Sequence, residues 1–151
     1  MRILVDTSIL LRRAQPASPH HQLVLDTLVE LVRAGHELCV VPQVIYEFWS
    51  VVTRPANVNG LGMSVPQAMQ SVHELLRNFL LLKDERGIYP IWQSLVLSYS
   101  VSGKTSHDAG LVAALQRHGL LHLLTFYVSD FQRFPGLHVH SPVDVAAGQL
   151  P

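Results

Sequence analysis

Four short apolar runs, Arg2–Val5, 38–41, 121–125 and 137–139, alternate with segments whose apolar residues recur at helical spacing. This alternation constrains the fold more than any other feature of the chain. The runs are bounded by polar or turn residues, as strands buried in a parallel sheet are. Between the first two, Leu23, Leu28, Leu31 and Val32 line one face of a helix over 22–34, which Gly35 closes. A helix over 43–53 follows Pro42, and another over 64–81 starts with Ser64 at its N-cap and Pro66 just inside. Residues 91–100 and 107–118 read as two more, the second stopped by Gly119. Strands joined by single crossover helices pair parallel and need cover on both faces. The expectation is an α/β fold of three layers, α/β/α, around a central parallel sheet of four to five strands.

At 151 residues the chain is expected to form a single domain over 1–151, since it shows no repeat, no low-complexity tract and no break in composition. Only 15–19 and 54–62, rich in Pro, Asn and Gly, read as substantial loops. Apolar residues make up 48% and charged residues 15%, so part of the surface is expected to lie against a partner. No apolar run approaches the roughly 18 residues that span a bilayer. An acid follows only three apolar residues at the amino terminus, where a signal peptide needs about 7 to 15. The single Cys39 lies in an apolar run and reads as packing, which fits a reducing, cytoplasmic setting. Eleven basic residues balance eleven acidic ones, so any binding to nucleic acid must be local or bridged by metal.

Three acids stand out. Asp6 is the first polar residue after the first strand, at its carboxyl end, where ligands bind in open α/β sheets. Glu47 shares a helical face with Val44 and Val51, and Asp108 shares one with Leu111, Val112 and Leu115. Burying an unpaired charge costs on the order of several kcal/mol, so inward carboxylates call for a cation. Magnesium is a hard cation that takes oxygen ligands and bridges to phosphate, which makes metal-assisted hydrolysis of a phosphodiester the chemistry to expect. Plainer roles stand beside this one: Asp6 or Asp108 capping a helix, and Glu47 paired with Arg54.

Ile3-Leu4-Val5-Asp6-Thr7-Ser8-Ile9-Leu10, Val44-Ile45-Tyr46-Glu47-Phe48, Ser106-His107-Asp108-Ala109 and Leu124-Thr125-Phe126-Tyr127-Val128-Ser129-Asp130-Phe131 occur in that order. Together they resemble the PIN-domain family, and within it the VapC-like toxins of type II toxin-antitoxin pairs, over nearly the whole chain. The resemblance implies a PIN-like fold and a Mg2+-dependent endoribonuclease, with Mn2+ as a substitute, that hydrolyses RNA. It also implies a homodimer and a cognate VapB-like antitoxin that inserts a segment into the acidic groove. Asp6, Glu47 and Asp108 would hold the metal, with Asp130 as a fourth catalytic acid. The chain departs from the family at Tyr127, where relatives carry Asn or Asp; a catalytically weakened PIN-like protein that binds RNA or protein is therefore the alternative.

The remaining candidates are weaker. His138 and His140 share one side of a strand, an arrangement open to zinc ligands, but no Cys or further His follows at ligand spacing, and a solvated edge is the expectation. His107 is a candidate substrate contact beside Asp108. Arg12, Arg13, Arg54 and Lys104 are candidate phosphate contacts, while Trp49 and Trp92 lie on apolar stripes and read as core or dimer contact. A phosphatase with an aspartyl nucleophile would carry a second acid two residues after Asp6, where this chain has Ser8.

Overall fold

The computed structural model describes residues 1–149 and 151. The chain opens with β1 (Arg2–Val5) and runs through α1 (Thr7–Arg13) and α2 (His21–Arg33) to β2 (Glu37–Val40). It continues with α3 (Pro42–Val52), a 3-10 turn (Ala56–Val58), α4 (Val65–Asn78) and β3 (Leu80–Leu81). Then come α5 (Ile88–Ser98), α6 (Thr105–Arg117), β4 (His122–Leu124), α7 (Val128–Phe131), β5 (His138–His140) and α8 (Pro142–Ala146). The five strands form one sheet in the order β3-β2-β1-β4-β5, and every pairing is parallel.

The chain steps outward from β1 to β2 and β3, then returns across the sheet to β4 on the other side of β1. Parallel neighbours are joined by crossovers, and right-handed crossovers that run in opposite directions along a sheet cover its two faces, which is the rule behind the three layers. Ile3, Leu4 and Val5 at the centre are fully buried, and so are Leu123 and Leu124 beside them. The direction changes between β1 and β4, so the crevice at their carboxyl ends is the point where this topology receives a ligand.

Local sequence accounts for the helices. In α2, Val24, Leu28 and Leu31 are buried; in α3, Val44, Phe48 and Val52 also recur at helical spacing after Pro42 at the start. Ser64 and Gln67 form a capping box at the head of α4. The expected helix over 64–81 stops early, because Phe79 turns extended and Leu80–Leu81 pair with Cys39 and Val40 as an edge strand. Apolar spacing alone cannot separate a last helical turn from a short strand, and here the open edge of β2 decided the outcome. Pro90 lies within the first turn of α5, where its missing N–H is tolerated, so this helix begins earlier than the sequence suggests. The short α7 and α8 carry no periodic signal and were not expected. No helix among the described residues is long and apolar enough to cross a membrane.

His138 and His140 do not simply sit on a solvated edge. The pairing of β4 with β5 sets His122 beside both, with ring centroids 4.8 Å from His138 and 5.3 Å from His140. The Nδ1 of His122 and Nε2 of His140 are 3.0 Å apart, so the two rings share one hydrogen bond. Burial, followed by repulsion from the neighbouring imidazoles, holds both below the ordinary histidine pKa, although Asp144 opposes this at His140. The unfolded chain therefore takes up protons that the folded chain refuses, and stability is lost as pH falls through about 6.5. Replacing His140 with Gln is expected to lessen the drop in melting temperature between pH 7.5 and 5.5; equal drops in both proteins would show that the cluster does not govern it.

Candidate active site

Asp6 leaves the end of β1 and serves as N-cap of α1, its Oδ2 accepting from the Ser8 amide at 3.3 Å. The same oxygen accepts from Thr125 Oγ1 at 2.8 Å, at the end of β4. Thr125 is completely buried and its hydroxyl is fully used: it donates to Asp6, receives the Tyr127 amide at 3.1 Å and meets Ser8 Oγ at 3.4 Å. Ser8 Oγ in turn accepts the Phe126 amide at 3.2 Å. Asp6 thus does cap its helix, yet Oδ1 accepts no hydrogen bond from the described residues and is left for a ligand.

Glu47 lies at the border of the buried stripe of α3 rather than inside it, and is half-buried. Thr7 Oγ1 donates to its Oε2 and Gln43 Nε2 to its Oε1, each at 2.8 Å. Gln43 Nε2 also reaches the His107 carbonyl at 2.8 Å, tying α3 to the start of α6. That approach needs Gly110, where a Cβ would stand 2.6 Å from Gln43 Oε1. Glu47 forms no salt bridge with Arg54, so the paired reading is not what the structure adopts; the two line a neighbouring groove with His107.

Asp108 does not cap α6, whose N-cap is Lys104. No group among the described residues donates a hydrogen bond to its carboxylate. Burial pushes its pKa up to about 6, with further contributions from Asp130, Asp6 and Glu47 against a small opposing one from His107. Asp130 stands exposed on α7. All four acids line one pocket of about 230 Å3, together with Thr7, Ser8, Arg12 and Tyr127. Four segments far apart in the chain therefore converge on one crevice.

The other candidates fall outside it. Arg13 lies on a different groove, and Lys104 is exposed at the head of α6. Trp49 packs against the core, and Trp92 does so while donating from Nε1 to the Ser106 carbonyl at 2.9 Å, which steadies the segment that carries Asp108. Cys39 is buried, as expected. Sequence reading overlooked Thr7, Gln43 and Gly110; only Gln43, one helical turn before Glu47, left a usable signal.

No family profile matches the sequence, and no curated protein does. Solved structures do match. A chain of the Rickettsia felis VapBC2 complex bound to promoter DNA aligns with a TM-score of 0.70 at 13% identity, covering 93% of this chain and 98% of that one. VapBC-1 from nontypeable Haemophilus influenzae aligns with a TM-score of 0.70 at 14% identity, covering 95% and 99%. Mycobacterium tuberculosis VapC20, a Sarcin-Ricin loop cleaving toxin, aligns with a TM-score of 0.59 at 16% identity, covering 80% and 86%. At these identities the likeness is one of fold, the PIN-like fold that the sequence resemblance implied.

A carboxyl whose pKa is raised by folding destabilises the fold once it ionises, so the penalty is absent well below the unfolded value of 3.8, grows as pH rises and is complete above about 6. Asp108→Asn, measured without divalent metal, is expected to melt higher than wild type at pH 8, with the gap closing toward pH 4. A lower melting temperature at pH 8 would make Asp108 a structural residue instead.

Proposed function

We propose that the chain is a metal-dependent endoribonuclease of the VapC type, the toxin partner of an antitoxin pair, with Asp6, Glu47 and Asp108 as metal ligands and Asp130 as a fourth catalytic acid. The observation that carries this reading is the convergence of four carboxylates on the crevice at the sheet's switch point, where Asp108 has no hydrogen-bond donor and is crowded by the other three. The donors are all oxygen, as a hard divalent cation such as Mg2+ or Mn2+ takes, while among the described residues no three acids are grouped closely enough to hold one ion together. Bound there, the cation supplies an activated water and offsets the charge that builds on a scissile phosphate.

The chain's own residues supply position. Thr125 and the Ser8 amide fix Asp6, while Thr7 and Gln43 fix Glu47, so two ligands are oriented before any cation arrives. Arg12 lines the same pocket and can receive a phosphate oxygen beside the acids. The antitoxin belongs to the proposal because the structural neighbours include VapBC complexes. A homodimer is proposed as well. The exposed Tyr46 of α3 and Tyr89 and Leu97 of α5 give it apolar surface to bury.

Calorimetry with Mg2+ and Mn2+ on wild type and Asp108→Asn, alongside cleavage of unstructured RNA, tests the reading. Wild type is expected to bind metal and cut RNA, and Asp6→Asn and Asp108→Asn to do neither while staying folded. Thr125→Val, which frees Asp6 without removing it, is expected to lose about 10- to 100-fold in metal affinity or activity. A wild type that binds neither cation would leave a partner-binding protein in place of the nuclease.

A further inference from the structure

Tyr127 occupies the position where the resemblance leads one to expect a small amide or carboxylate, and its ring is not tucked into the core. It is 50% exposed and forms part of the wall of the acid pocket. Its backbone amide is held by Thr125 Oγ1, the same hydroxyl that holds Asp6, so the base of the side chain is fixed relative to the acids. Its hydroxyl accepts from Arg12 Nη2 at 3.3 Å.

Arg12 is itself clamped. Its Nη1 donates to the Ser8 carbonyl at 2.9 Å, and its guanidinium carbon lies 4.5 Å from the centroid of Phe126 and 5.7 Å from that of Tyr127. His20 backs the Phe126 ring at 5.2 Å. Although Arg12 lines the same pocket as four carboxylates, it forms a salt bridge with none of them, because the aromatic stack and the Ser8 carbonyl hold it to one side. A guanidinium has five N–H donors, and the two contacts named here leave others for an anion. An exposed aromatic face beside a cation not neutralised by the nearby acids matches one repeat of single-stranded nucleic acid, a base and its phosphate.

We propose that Tyr127 and Arg12 form a nucleotide subsite at the mouth of the acid pocket, where an unpaired RNA base stacks on the Tyr127 ring and Arg12 holds the adjoining phosphate. The proposal rests on the ribonuclease reading and names the residues of this chain that take the unpaired nucleotide beside the cut, since a base inside a duplex offers no free face. Tyr127 on this view replaces a small polar group with a stacking platform.

The test is binding of a fluorescein-labelled 12-nucleotide RNA of mixed sequence, alone or annealed to its complement, followed by anisotropy. The protein carries Asp108→Asn to prevent cleavage, with Tyr127 intact or changed. Tyr127→Ala is expected to weaken binding of the single strand by about tenfold, and Tyr127→Phe and Tyr127→Trp to stay within about twofold of the parent, since both keep a stacking face. Duplex binding is expected to be the same in all four proteins. Arg12→Gln is expected to weaken binding and make it less sensitive to salt. Tyr127→Phe and Tyr127→Trp keep the proposal decidable if Tyr127→Ala fails to fold, because a loss of binding in both folded aromatic variants would overturn it. Single-strand binding unchanged by Tyr127→Ala, or duplex binding weakened equally, would overturn the subsite while leaving the nuclease reading intact. Failure of the parent to bind any RNA, together with no cleavage by wild type, would overturn both.

Discussion

The hydroxyl of Thr125 joins the two halves of the molecule at the place where the chemistry is built. It sits completely buried at the end of β4 and donates across the switch point to Asp6 at the end of β1, while receiving the amide that begins the turn into α7. Removing a buried hydroxyl of this kind leaves its partners without the bonds that orient them. One small side chain therefore sets the relative positions of the first acid, the first helix and the segment that carries Tyr127 and Asp130.

Gathering four carboxylates works against their mutual repulsion, and the structure meets that cost unevenly. Asp6 and Glu47 each receive two hydrogen bonds, whereas Asp108 receives none from the described residues and is the one pushed toward protonation. The tension falls on a helix that is otherwise well buried, since Ala109 and the run from Leu111 to Leu115 lie in the core. A firmly seated helix can hold a poorly satisfied carboxylate in place, as a loop could not.

Most of the architecture was legible because short apolar runs and helical stripes obey different periods. The central strands and the acids at positions 6, 47 and 108 followed from that contrast together with the family resemblance. The limits were equally physical. Leu80 and Leu81 read as helix because two residues carry no period, and their pairing with β2 is a long-range event. Arg54 looked like a partner for Glu47 by proximity in sequence, but Gln43 and Thr7 hold Glu47 instead. The stacking of His122 on His138 and His140 depended on strand register, which apolar patterning does not supply.

The order of the strands also bears on when the crevice can exist during synthesis. The bond from Thr125 to Asp6 spans 119 residues, and β4 is the strand that closes against β1 after β2 and β3 have already been made. Contacts so distant in sequence carry the greatest loop-closure cost and are the hallmark of slow-forming topology. A growing chain that has exposed β1, β2 and β3 to solvent can pair those strands, yet it still lacks Thr125, Tyr127 and Asp130. The emerging polypeptide therefore stays without a completed crevice until β4 and the segment after it have been made, so competence arrives as a single event rather than by degrees.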